Sequence, residues 1–325
     1  MSGEEVIPRD YTYAWTVASD LPLPDFLEKY KPSVVQNNGK KPWIWVRGGP
    51  RARDDAGKAG ALREGGALLK EIIARVKQIK DDASIPLQPN KQAGVESKKQ
   101  VREQVQAEAA EKFTEIATRN GWVSGKWMIF APVEKVDVIW ADLATSLVSG
   151  PLAATCAFMA KVATASAGGI SLTSGHLICL YVPDVYDKPG ITQVMSVLAR
   201  YHGIAPISVK ANMFGALGID SKHPSGVQTS PWKYAELMTS KEFKALKKDY
   251  NADVKAKKLV APAKAKPPPR KKFDDEPFVP KAEVKTKKRK QVGSDPDYED
   301  DGGGNNSADA DYEEVEPKRM RTGAE

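Results

Sequence analysis

At 325 residues the chain is long enough for one large or two small domains, and an apolar fraction of 41% with 7 tryptophans allows a real core. The formal net charge of +7 suits a nucleic acid or another acidic partner, while two cysteines, Cys156 and Cys179, exclude a disulfide framework and fit a reducing compartment. The start, Met1-Ser2-Gly3-Glu4-Glu5-Val6, lacks the basic and apolar regions of a secretory signal, and Lys161 interrupts the least polar window, so no membrane partner is expected.

Residues 1–40 read as an irregular N-terminal approach segment, extended and turn-rich through Pro8, Pro22, Pro24 and Pro32. Its aromatics Tyr11, Tyr13, Trp15 and Phe26 suggest that it lies against the domain that follows. A domain is expected over 41–250. It opens with a strand, Lys41 to Arg47, in which Trp43 and Trp45 share one face and Ile44 and Val46 the other. Leu68, Leu69, Ile72, Ile73, Val76 and Ile79 recur at helical spacing between Gly66 and Lys80. A charged helix is expected over about 95–119, capped by Asn120-Gly121.

Then comes Ser124-Gly125-Lys126-Trp127-Met128-Ile129, a strand, followed by a helix carrying Val136, Ile139 and Trp140. Two strand-like runs follow, Thr155 to Thr164 with Lys161 as the lone cation, and His176 to Val182 with Tyr181 near its end. Their connection suits a hairpin, which argues for a mostly antiparallel α+β sheet backed by helices. A helix over 187–202 closes on Gly203, extended structure resumes around Val209-Lys210, and a final basic helix starts near Thr239 and frays after Asp249.

Residues 251–325 read as a disordered, charged tail. Positions 255–290 hold 14 Lys and Arg against 4 Asp and Glu, whereas 291–316 hold 10 acidic residues and no Lys or Arg. Such blocks resist packing because each buried charge would need a partner. Three basic clusters stand out: Arg270-Lys271-Lys272, Lys287-Lys288-Arg289-Lys290, and Lys318-Arg319 with Arg321. They read as nuclear localisation signals that a nuclear import receptor would bind, placing the protein in nucleus and cytoplasm.

No enzyme signature is found. The three histidines, His176, His202 and His223, lack the spacing of a helical metal pair, and no Cys-x-x-Cys exists. Gly60 to Gly66 precedes a helix without a strand before it, unlike a phosphate loop. Neither catalytic residues nor a metal or cofactor are expected.

Gly125-Lys126-Trp127, a helix with a central tryptophan, a strand with a basic residue and a strand ending in an aromatic together resemble the translation initiation factor 4E family over about residues 120–220. From Pro42-Trp43-Ile44-Trp45 to Pro231-Trp232-Lys233-Tyr234 the chain is similar to the uncharacterised basophilic leukaemia-expressed protein family and its fungal relatives. The resemblance implies a curved, mostly antiparallel sheet with helices behind it. It also implies a ligand on the concave face. In the factor 4E family, a Trp followed by Glu holds the methylated guanine of the messenger RNA cap. Here the seven tryptophans are followed by Thr16, Ile44, Val46, Val123, Met128, Ala141 and Lys233, so the Trp-Glu pair is missing.

The resulting expectation is a non-enzymatic RNA- or nucleotide-binding protein with a factor 4E-like domain, with no assignment of the cap as its ligand. Candidate ligand residues are Trp43, Trp45, Trp122, Lys161, Tyr181 and Lys210, with Lys161 as the phosphate contact. Trp127 and Trp140 are assigned to the core. The second expectation is a nuclear protein-interaction adaptor that keeps the fold without a ligand site.

Overall fold

A computed structural model describes residues 7, 11–37, 39, 42–49, 57–90, 92, 94–166, 175–220 and 222–260, with 166 and 257–260 by backbone alone. The chain divides into two units, Met1–Ala263 and Lys264–Glu325. Every described residue belongs to the first. The expected tail disorder and the localisation clusters lie outside the described residues.

Six extended runs build one sheet, in which successive residues of a strand face opposite sides. The strands are β1 (Ala14–Thr16), β3 (Trp43–Arg47), β5 (Met159–Ala163), β7 (His176–Val182), β4 (Gly125–Ala131) and β8 (Ser208–Ala211), in that spatial order. All neighbours are antiparallel except β1 and β3. Outside this sheet, β2 (Gln36–Asn37) and β6 (Ala165–Ser166) form a short parallel pair. The mixed α+β class expected from the sequence is the one observed.

Helices cover one face. Ile44, Val46, Trp127, Ile129, Val162, Ile178, Leu180 and Val209 point into a single core with residues of α2 (Lys58–Asp81), α3 (Lys98–Arg119), α4 (Val136–Ser149) and α5 (Lys188–His202). Trp127 and Trp140 are both buried there, as expected. Ser97 caps α3 with a reciprocal Ser97–Gln100 box, and Gly203 ends α5 at φ +64°.

Several local expectations change. The segment read as irregular supplies β1 and the helix α1 (Leu23–Lys29), whose Leu23, Phe26 and Leu27 join the core. Prolines at the start of α1 do not break it, since a first-turn N–H has no intrahelical acceptor to lose. Helix α2 begins at Lys58, before Gly65 and Gly66, because Gly65 faces Leu217 and Phe113 and serves close packing there. The extended segment after β8 turns at once into α6 (Asn212–Ala216), followed by α7 (Tyr234–Leu237). The final helix, α8, runs Ser240–Val260 instead of fraying after Asp249.

Candidate functional site

The strand register decides what lies on the other face of the sheet. Directly opposed residues share a side, so one row crosses five strands as Arg47, Met159, Tyr181, Lys126 and Lys210. The adjacent row runs Trp45, Lys161, Cys179, Met128 and Ser208. None of the residues that pairing places on this face is acidic, and four are cationic: Arg47, Lys126, Lys161 and Lys210. Five of the six sequence candidates lie on this face, and four of them, Trp43, Trp45, Lys161 and Tyr181, meet at its β3–β5–β7 end.

They do not meet as expected. Lys161 is only 4% exposed. Its Nζ lies 4.2 Å from the Trp43 ring centroid, 4.8 Å from Trp45 and 5.6 Å from Tyr181. Trp45 and Tyr181 stack at 6.0 Å, and Phe158, Met159 and Cys179 complete a small second core. Ile7 and Tyr11 pack over it, and the Tyr11 hydroxyl donates to the Trp43 carbonyl at 2.7 Å. Burial raises the Tyr11 phenol above its ordinary value, so that hydroxyl stays a donor at neutral pH. The protein's own ammonium therefore fills the aromatic cage. Lys161, expected as an open phosphate contact, is thus enclosed by the three rings instead.

Towards β4 and β8 the same face opens. Lys126 and Lys210 are half-buried and directly opposed, an arrangement that like charges resist. Lys126 Nζ stands 5.4 Å from the Tyr181 ring centroid, and Lys210 Nζ donates to the Ile219 carbonyl at 2.5 Å. Burial, and then the charge of Lys126, push the Lys210 ammonium below its ordinary value, against a smaller opposing pull from Asp220. Phe130 is 53% exposed on the same face of β4. Gly125 makes this close pairing possible: a Cβ there would collide with the Lys210 carbonyl and Val185. In Gly125-Lys126-Trp127 the glycine admits β8, the lysine faces out and the tryptophan enters the core.

Trp122 leaves the candidate set. It is 1% exposed within the helix-side core, held by the turn after α3, where Gly121 has φ +69°. Sequence reasoning missed Arg47, Lys126 and Phe130 as outer-face residues. Strict alternation from Trp43 and Trp127 would have found all three.

His202 Nδ1 lies 2.5 Å from Asp142 Oδ2 and its Nε2 lies 3.0 Å from Ser146 Oγ, the connectivity of a hydrolase triad. Exposure is inverted, however: Ser146 is buried and accepts the Leu152 N–H at 3.1 Å, whereas Asp142 is exposed. The set ties α4 to α5. A cleft of about 380 Å³ lies between α3 and residues 228–236, floored by Phe214 and Trp232. Beside it burial pushes the Tyr186 phenol up to about 12. The cleft mixes Glu111 and Glu236 with Lys233, so it lacks the single sign of the sheet face. The Cys156 thiol is pushed up to about 11, chiefly by burial, which removes thiolate chemistry at neutral pH. Among the described residues no cluster of His, Cys, Asp or Glu could hold a metal, and no helix is long and apolar enough to cross a membrane.

The family model described as basophilic leukemia-expressed protein Bles03 matches residues 10–217. That span covers β1 to α6 and both ends of the sheet face. A search of curated proteins finds no match.

Proposed function

The chain belongs to the Bles03 family, and we propose that it is a non-enzymatic RNA- or nucleotide-binding protein whose ligand lies on the outer sheet face. One observation carries this reading: among the residues that strand pairing places on one sheet face four are cations and none is acidic, and two of the cations are directly opposed and half-buried. A phosphate bound there would accept charge-assisted hydrogen bonds from both ammonium groups. Phe130 offers an exposed ring on which a base can stack. The order of elements also resembles the initiation factor 4E family, whose members use an open sheet face for a nucleotide.

The cap itself is not the favoured ligand. Cap readers place a cationic methylated guanine between aromatic planes, and here Lys161 already supplies the cation to Trp43, Trp45 and Tyr181. The ligand's phosphates therefore fall to Lys126 and Lys210, with Arg47 along the same row.

Titration of the full chain with guanosine triphosphate, its 7-methyl form and a short oligoribonucleotide tests this. Lys126→Ala and Lys210→Ala should each weaken binding by about 1–3 kcal/mol, the range for a charge-assisted hydrogen bond. Methylation should change affinity little. Unchanged affinity in the double variant would remove the site from this face, and strong preference for the methylated nucleotide would restore cap binding.

A second reading, a protein-interaction adaptor, draws on one further observation. A groove between α1 and α4, lined by Pro24, Leu27 and Ala141, carries Val138 at 74% exposure. Absence of any nucleotide or RNA binding at low salt would favour it. Localisation to nucleus and cytoplasm through the basic clusters remains part of the proposal, and loss of nuclear signal on neutralising Lys287, Lys288, Arg289 and Lys290 would support it.

A further inference from the structure

Helix α8 sorts its charges by side. Lys244, Lys247, Lys248 and Lys255 line one exposed strip with Asn251 and Ala252. The helical repeat turns Glu242, Asp249 and Asp253 away from that strip. Two of these acids are engaged: Glu242 accepts from Thr239 at the helix start, and Asp253 pairs with Arg200 of α5 at 2.7 Å. Phe243 and Leu246 pack on the core, and the Tyr250 ring lies against Gly203. The inner side thus anchors the helix, while the exposed strip carries four lysines and no acid.

We infer that this lysine strip is a docking surface for a nucleic-acid phosphate backbone, separate from the sheet-face site. α8 packs on α5, a helix of the opposite layer, so one ligand group cannot touch both surfaces at once. From Lys244 to Lys255 the strip extends about 16 Å along the axis, over which one strand of a duplex presents about five phosphates. The strip offers no apolar anchor between its lysines, and a membrane-surface helix would need one. Because the helix that carries the lysines is already packed on α5, its backbone needs no ordering on docking. In sequence the strip leads straight into the basic stretch 255–290, which extends the same charge. Lysines without base-reading partners recognise the backbone, not the sequence.

The inference deepens the RNA reading by adding a second contact, and it can fail separately from it. The experiment compares the full chain with a Lys244→Gln, Lys247→Gln, Lys248→Gln, Lys255→Gln variant, using oligo(U) and oligo(dT) of equal length across a salt series. The variant should bind both strands about tenfold or more weakly at low salt, and its salt slope should flatten by about 0.7 per lysine removed. Its thermal unfolding should not move, because all four side chains are exposed. Guanosine triphosphate binding through Lys126 and Lys210 should also be unaffected. An unchanged slope would overturn the docking surface while leaving the sheet face intact. Loss of nucleotide binding with the slope still flattened would do the reverse. Loss confined to RNA or to DNA would overturn backbone recognition. Capture of phosphatidylserine vesicles but neither oligonucleotide would identify a membrane surface instead.

Discussion

The two ends of the outer sheet face use the same residue types to opposite effect. At the β3–β5–β7 end a lysine sits among three aromatic rings at 4% exposure, and Ile7, Tyr11 and Phe158 cover the cluster. At the β4–β8 end two lysines stand half-buried, one of them over the ring of Tyr181, with Phe130 open to solvent. Tyr181 is shared: Lys161 lies 5.6 Å from its centroid and Lys126 5.4 Å. The difference teaches that burial decides what a lysine can do. An enclosed ammonium stabilises the fold through its rings, whereas a half-open one can exchange its surroundings for a ligand.

The largest test breaks the enclosed end. Lys161→Ala removes both the cation and the methylene stem from a packed site, which should destabilise the protein by about 2–5 kcal/mol, the range for a large-to-small core change. Lys161→Met keeps the stem and should cost less. Lys126→Ala, at the open end, should stay within about 0.5 kcal/mol. Urea unfolding of the three variants compares them directly. Equal effects of Lys161→Ala and Lys126→Ala would erase the distinction between the ends.

The comparison also shows what the sequence could disclose. The apolar runs of β3, β4 and β7 were legible as strands, and the two faces of β3 could be separated, Trp43 and Trp45 from Ile44 and Val46. The aromatic and basic residues of the cage could be picked out because a lone Lys161 interrupts an apolar run. Its burial could not be read, since the covering residues Ile7 and Tyr11 come from a segment with no periodicity. β1 was hidden for a related reason: it has three residues and gains its place only by pairing with β3. Lys126 belongs to a legible motif, Gly125-Lys126-Trp127, and its outward direction follows from the placement of Trp127 in the core. Helix α8 was truncated in the reading because its lysines suggest a solvated tail, and the contacts of Leu246, Tyr250 and Asp253 that hold it are tertiary.

An intermediate effect tests the geometry of the open end without touching its charges. Gly125→Ala would drive a methyl into the Lys210 carbonyl and Val185, forcing β4 and β8 apart. Overpacking of this kind should cost about 1–3 kcal/mol. Because the two lysines depend on that pairing, phosphate binding should fall along with stability, and Lys161 should remain enclosed. Normal binding in a destabilised Gly125→Ala protein would mean that the lysine pair does not form the site.

The smallest effect is a shift along the pH axis. Burial first, and Lys126 second, hold the Lys210 ammonium below its ordinary value of 10.5. Only the charged form grips a phosphate, so affinity should hold at neutral pH and fall as pH rises through the lowered value, before an exposed lysine would lose its proton. Without ligand the sign reverses. The native state then binds fewer protons than the unfolded chain between the lowered value and 10.5, so stability should rise slightly across that window. Lys126→Gln removes the neighbouring charge and leaves burial in place. The midpoint of the affinity loss should therefore move to higher pH, though not all the way to that of a free lysine. Calorimetric titration with guanosine triphosphate from about pH 7 to about pH 10 measures both curves. A midpoint that stays put in Lys126→Gln would show that the two lysines do not act on each other, and the open end would lose the electrostatic strain that distinguishes it from the cage.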